Sequence, residues 1–438
     1  MKRAFSLLLL VLFLLCTACT GKTPPVPTEA PTEAALTEAP APTAIDMRYT
    51  YDPETDVDNR YAMRYANIVE RDNMFVWASY CNTPLFFYDK ETDFGGVLCN
   101  KPECEHTTSD CSSAIATKSI CFYDGGLYIL PSWPDMQKRC WIIYSMELDS
   151  SDRKVFMTIP DEEDGSMTLK RMFIHRGKMY FVNEYQAVEE GKPANKFELL
   201  TCDFDGPNAA DLKPVVKIES YAWFINRLFF AGDKIFVFSG PTIGGHYRLL
   251  VEMYDTVSGE TSTVSDVILD DDYFIPDYFY VTQDGEILCG QSGTTYDQNC
   301  KAYRIVGNEL EVFMEFEETE FEGKLCSWMS VQIGEDTVTA STMISKNPRQ
   351  DAVWIRDFEG NTIYKGLLPT LQEGAPNYDT IDYFEASHDR ILLSVQENKE
   401  NSSGTVIGTT YFFVEYDLTE DGYTVKPMIT YKTKPSGT

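Results

Sequence analysis

Gly177-Lys178-Met179-Tyr180-Phe181 joins a polar turn to a short apolar strand, and the chain repeats this unit along its length. The other instances are Asp72-Asn73-Met74-Phe75-Val76, Gly125-Gly126-Leu127-Tyr128-Ile129, Asp233-Lys234-Ile235-Phe236-Val237, Gly285-Glu286-Ile287-Leu288, Glu335-Asp336-Thr337-Val338 and Asp389-Arg390-Ile391-Leu392. With Met74, Leu127, Met179, Ile235, Ile287, Val338 and Ile391 as marks, the interval stays between 51 and 56 residues. A further apolar run follows within each unit, as in Trp141-Ile142-Ile143-Tyr144, Leu199-Leu200-Thr201-Cys202 and Tyr411-Phe412-Phe413-Val414. Acidic or glycine turns such as Asp203-Phe204-Asp205-Gly206 and Asp357-Phe358-Glu359-Gly360 come next, then a last β-rich segment such as Lys154-Val155-Phe156-Met157. Turn chemistry alternating with β-branched and aromatic runs predicts antiparallel hairpins, and helical periodicity is weak throughout.

Four strands per ~50 residues, repeated around a ring, leave only short, protected edges. The sequence therefore predicts an all-β chain forming a β-propeller of seven four-stranded blades, six or eight being the alternative parses. Tyr49-Thr50-Tyr51 is expected to close the ring by adding an outer strand to the blade built from 383–430.

Outside the repeats, two segments differ in kind. Residues 1–18 carry Lys2 and Arg3, then the apolar run Leu7–Leu15, then Cys16-Thr17-Ala18 before Cys19. The apolar core is shorter than the ~20 residues a membrane span needs. The pattern resembles a bacterial lipoprotein signal, which implies cleavage behind Ala18 and a diacylated Cys19 on the outer side of a membrane. Residues 19–45 follow as a Pro/Thr/Glu/Ala-rich linker with little to bury. It is expected to be a disordered, extended stalk reaching on the order of 80 Å. Residues 46–438 form the propeller.

The repeated units, together with Leu98-Cys99-Asn100-Lys101-Pro102-Glu103-Cys104-Glu105-His106 and Cys111, resemble bacterial surface lipoproteins with propeller ectodomains, similar to Tol-type and related propellers. The resemblance implies fold and location and attaches no activity.

Cys99, Cys104, His106 and Cys111 offer three thiolates and an imidazole within thirteen residues, a donor set for tetrahedral zinc. Exported thiols are commonly paired, so disulfides such as Cys104–Cys111 are the competing reading. Cys289 and Cys300, on consecutive strands, are a second candidate pair, and Cys202 has no evident partner. Either way the cluster reads as structural. The acidic runs Asp161–Asp164 and Asp270–Asp272 lack the alternating spacing of an EF-hand loop, which argues against calcium.

Against 37 Lys and Arg stand 68 Asp and Glu, a formal charge of −31 that loss of Lys2 and Arg3 would make more negative. Nucleic acid is excluded as a partner, because its affinity rests on clustered cations. Aromatic rings beside carboxylates in the connections entering the inner strands are candidate ligand contacts: Tyr221, Trp223, Tyr273, Asp277, Tyr278, Trp328, Tyr378 and Asp382. Such platforms suit a glycan or a protein partner. There are four histidines, and no nucleophile elbow, zinc-protease helix or phosphate loop is present, so no catalytic residue is identified. The expectation is a membrane-anchored, extracytoplasmic binding protein. Its rivals are a carbohydrate hydrolase or lyase using paired carboxylates, and a structural or sensor component of the cell envelope.

Overall fold

The computed structural model describes residues 45–433, except 63–66, 72, 79–83, 107–110, 162–166, 190–191, 220, 244–245, 270–274, 293–299, 322, 347–348, 369–379, 404–405 and 420–421. The expectations for the signal, Cys19 and the linker lie outside these residues, as do Tyr273 and Tyr378.

Seven four-stranded antiparallel blades follow one another, blades 5 and 6 also bridged by Ser292 and Ser330: blade 1 (68–97), blade 2 (117–160), blade 3 (169–219), blade 4 (221–269), blade 5 (275–316), blade 6 (330–367) and blade 7 (380–432). In each blade the strands lie side by side in chain order. All seven sequence marks fall at the start of a second strand, which begin at Met74, Gly126, Lys178, Lys234, Ile287, Thr337 and Arg390. These strands are buried over consecutive residues rather than alternately, as in Phe75–Ala78 and Ile391–Val395. The reason is that both faces of a blade's centre are covered by its neighbours. Outer strands alternate instead; in Lys154–Pro160 only Met157 and Ile159 are buried.

Seven apolar clusters hold the ring, one at each seam between adjacent blades. The seventh joins blade 1 to blade 7 and closes the circle. There Trp77 stacks on Phe413 at 5.4 Å, and Phe86 meets Tyr431 edge-on at 5.1 Å. Gly95 lies so close to the Met428 carbonyl that a Cβ would come within 2.4 Å of it. The ring is thus a seven-bladed β-propeller.

Closure differs from expectation in one respect. Tyr49-Thr50-Tyr51 does not extend blade 7, which supplies all four of its own strands. The segment 45–62 instead crosses the face formed by the first-to-second strand turns, as a strap without strand structure except for one helical turn, Asn59–Ala62. Its polar groups are satisfied there. The Tyr49 amide donates to the Gln283 carbonyl at 3.1 Å, and the Tyr49 hydroxyl to the Val281 carbonyl at 2.9 Å. Asn59 exchanges two hydrogen bonds with the Phe230 backbone, at 2.7 and 2.9 Å. Gly285, at φ +88°, makes the close approach possible: a side chain there would strike Met47.

Candidate functional site

Where the strap crosses the turns of blades 5, 6 and 7, it leaves a cavity of about 630 Å³ at the mouth of the central channel. The strap contributes Tyr49, Tyr51 and Arg60 to its wall; the blades contribute Phe229, Tyr278, Tyr280, Gln332, Glu335, Asp336, Phe384, Glu385, His388 and Arg390. Phe229 anchors the aromatic side, edge-on to Tyr280 at 5.3 Å and to Tyr49 at 6.2 Å. Gln332 donates to the Tyr278 hydroxyl at 3.2 Å. Burial, then the Glu335 carboxylate, push the Tyr49 phenol up to about 12, so it stays protonated and donating. Burial and its tyrosine and acidic neighbours raise Tyr280 in the same way.

The cavity's cations are already engaged. Arg390 forks onto Glu70 at 2.9 and 3.1 Å and reaches the Tyr61 hydroxyl at 3.0 Å, while Arg60 pairs with Asp58 at 2.6 Å. Glu335 and Asp336 are exposed and make no ion pair among the described residues. The charge left to a ligand is negative.

Glu385 is the exception among these acids. Burial raises its carboxyl to about 7, although Arg390 stands 3.8 Å away. That guanidinium is committed to Glu70, and one Glu385 oxygen is buried without a hydrogen-bond partner among the described residues. Desolvation therefore outweighs attraction, and the group holds its proton well above the usual carboxylate range, about half protonated at pH 7.

The expected ligand contacts are distributed differently from this cavity. Of the eight, Tyr278 lines it. Asp277 is buried and bonded to Arg227, tying the inner strands of blades 4 and 5. Trp328 is 1% exposed, its indole donating to the Glu317 carbonyl at 2.9 Å, so it packs the core between blades 5 and 6 rather than offering a platform. Tyr221, Trp223 and Asp382 stand on inner strands, their side chains outside the described residues. The cavity opens where the inner strands end, not where they begin. Its signal in the sequence was the tyrosine pair of Tyr49-Thr50-Tyr51, which forms a wall rather than an edge strand.

The other histidines are accounted for. His175 is buried and held neutral by burial; its Nδ1 accepts from the Val57 amide at 3.2 Å and its Nε2 donates to the Gly232 carbonyl at 2.7 Å. It fastens the strap to blade 3, and beside it Arg176 binds the buried Asp56 at 2.5 and 3.1 Å. His246 is exposed.

A second constellation lies on the connection from blade 1 to blade 2. The ligand atoms of Cys99, Cys104, His106 and Cys111 all lie within 4.8 Å of one another, a grouping able to hold a metal ion. All three sulfurs are free thiols. Cys289 and Cys300 form no disulfide with each other; register places Cys289 opposite Tyr303 and Cys300 opposite Phe316, so the hairpin does not bring the pair face to face.

No protein-family model matches the chain, and no curated protein matches it in sequence. Solved structures do. A puromycin hydrolase superposes with TM-score 0.52 at 12% identity, over 89% of this chain and 57% of that one. A hypothetical selenium-binding protein from Sulfolobus tokodaii gives 0.47 at 12%, over 88% and 96%. A polysaccharide lyase gives 0.46 at 11%, over 87% and 94%. The chain spans little more than half the length of the hydrolase, and at these identities the likeness shows the fold alone. The class is that of the β-propellers.

Proposed function

We propose that the protein is a lipid-anchored, extracytoplasmic propeller that binds a neutral or basic glycan in the strap-walled channel mouth. One observation carries this reading: a cavity of about 630 Å³ sets aromatic faces beside Glu335 and Asp336, carboxylates that no cation among the described residues neutralises. Ring faces cover the apolar side of a sugar, and carboxylates accept from its hydroxyls. The same carboxylates repel uronates and sulfated sugars.

Incubation of the full-length protein with a glycan panel is expected to show retention of neutral or amino sugars. Tyr280→Ala removes a stacking face and should weaken retention at least tenfold, the equivalent of about 1.4 kcal/mol. Retention of acidic glycans alone would overturn the reading. Retention of none, with a polypeptide captured instead, would favour a protein partner.

A second reading rests on Glu385. A protonated carboxyl beside ionised ones is what acid-catalysed glycoside cleavage requires. Cleaved panel members, with cleavage abolished in Glu385→Gln, would establish hydrolysis.

The anchor is tested separately. Cys19→Ala is expected to abolish lipid labelling and to leave the protein released or unprocessed; unchanged labelling would refute acylation at Cys19.

A further inference from the structure

We propose that Cys99, Cys104, His106 and Cys111 bind one zinc ion in a closed tetrahedral site that braces the seam between blades 1 and 2. The inference stands apart from whatever the channel mouth binds.

Tetrahedral zinc with bonds of about 2.3 Å to sulfur and 2.0 Å to nitrogen separates its ligand atoms by roughly 3.5–3.8 Å. The four donors already lie within 4.8 Å of one another, and Cys111 Sγ stands 3.5 Å from His106 Nδ1. A backbone amide faces each of the three sulfurs. The His106 amide donates to Cys104 Sγ at 3.4 Å, and the amides of Lys101 and Ser113 face Cys99 and Cys111 from the same position, two residues downstream. The Ser113 hydroxyl adds a contact to Cys111 Sγ at 3.2 Å. Outer hydrogen bonds of this kind orient metal ligands and temper their charge. His106 itself takes φ +56°, a conformation uncommon outside glycine, within the turn that brings its ring to the three sulfurs.

Three sulfurs cannot all pair with one another. A disulfide between any two would strand the third beside the imidazole, whereas one metal ion uses every donor. Thiolate and imidazole together select zinc over the hard cations magnesium and calcium. Four protein ligands fill its coordination, so the site holds structure and leaves no open position for chemistry.

The surroundings show what it holds. The Leu98 amide donates to the Leu85 carbonyl at 2.8 Å, and the Leu85 amide to the Ser113 carbonyl at 3.0 Å, so both ends of the loop close on blade 1. Toward blade 2, the Asn100 amide donates to Ser150 Oγ at 2.8 Å, and Arg153 Nη1 to the Ser112 carbonyl at 2.7 Å. Metal binding at the loop's centre therefore fixes contacts on both sides of the seam.

The test is metal analysis of the full-length protein purified under reducing conditions without chelator. About one zinc per chain is expected, with release of the metal on mercurial titration of the thiols. Replacement by cobalt(II) should give the intense visible bands of tetrahedral thiolate coordination. Cys111→Ser should lose them. His106→Cys should keep them with a shifted maximum, which separates loss of the site from loss of the fold. Cys326→Ser, at a remote thiol, should leave them unchanged. A metal-free protein that takes up no cobalt, or a disulfide between any two of Cys99, Cys104 and Cys111 found by mass spectrometry, would overturn the assignment.

Discussion

Replacing Arg390 by Met is expected to destabilise the propeller by roughly 3 kcal/mol, the order found when one partner of a buried ion pair is removed. Arg390 opens blade 7's second strand, yet its fork lies on Glu70 of blade 1, 320 residues away in sequence. Both side chains are nearly buried, at 13% and 9% exposure. Burial alone would raise the Glu70 carboxyl; Arg390, Lys90 and the Tyr61 hydroxyl hold it well below the usual carboxylate range instead. Arg390 also lies over the Phe75 ring at 5.6 Å, within the apolar seam. Because no strand is exchanged between the ends among the described residues, this ion group joins last blade to first together with the Lys426–Asp93 pair and the apolar cluster around Trp77, Phe86 and Phe413. Loss should appear in blade-resolved hydrogen exchange as faster exchange in blades 1 and 7, with blades 3 to 5 little changed. Uniform acceleration, or none, would show that the ring does not depend on this latch.

The second large effect is a dependence on pH. Burial raises the folded pKa of Glu385 to about 7, above the ordinary glutamate value of about 4.5. A raised pKa means that the folded state prefers the proton. The associated stability is full below about pH 4.5 and is lost as pH rises through 7, amounting to about 3 kcal/mol for a shift of this size. Glu385→Gln keeps the neutral shape and should remove that slope, leaving the variant more stable than the parent at pH 7.5. Denaturant titrations at several pH values would read this directly. A variant less stable at pH 7.5, with the slope unchanged, would mean that Glu385 is ionised and paired with Arg390. Glu70 acts with the opposite sign: its contribution is present above the ordinary carboxylate range and disappears only in strong acid.

The repeat was fully legible in the sequence because turn residues at the first hairpin have no structural latitude. Gly125, Gly177 and Gly285 all take positive φ, and the strand after each turn must be apolar on both faces to fill two seams. The Cys/His cluster was legible for a similar reason, since all its donors fall within one short connection. Ring closure and the cavity were not. Both depend on where a strand-like segment packs after the blades have formed, and Tyr49-Thr50-Tyr51 is as compatible with an edge strand as with a wall. What decides is polar satisfaction by Val281, Gln283 and Phe230, more than 170 residues downstream. Trp328 and Asp277 misled for a related reason: an aromatic or acid near a loop gives no sign of whether a partner will bury it.

The strap-walled channel mouth is proposed as the binding site. Hydroxyl-radical footprinting of the full-length protein, with and without a glycan retained from the panel, tests it most directly. Protection is predicted at Tyr49, Tyr278 and Tyr280, with Phe94 and Trp133, which are 61% and 73% exposed on the outside of the ring, modified equally in both states. Unchanged modification of the three tyrosines, or protection confined to side chains outside the channel mouth, would contradict it.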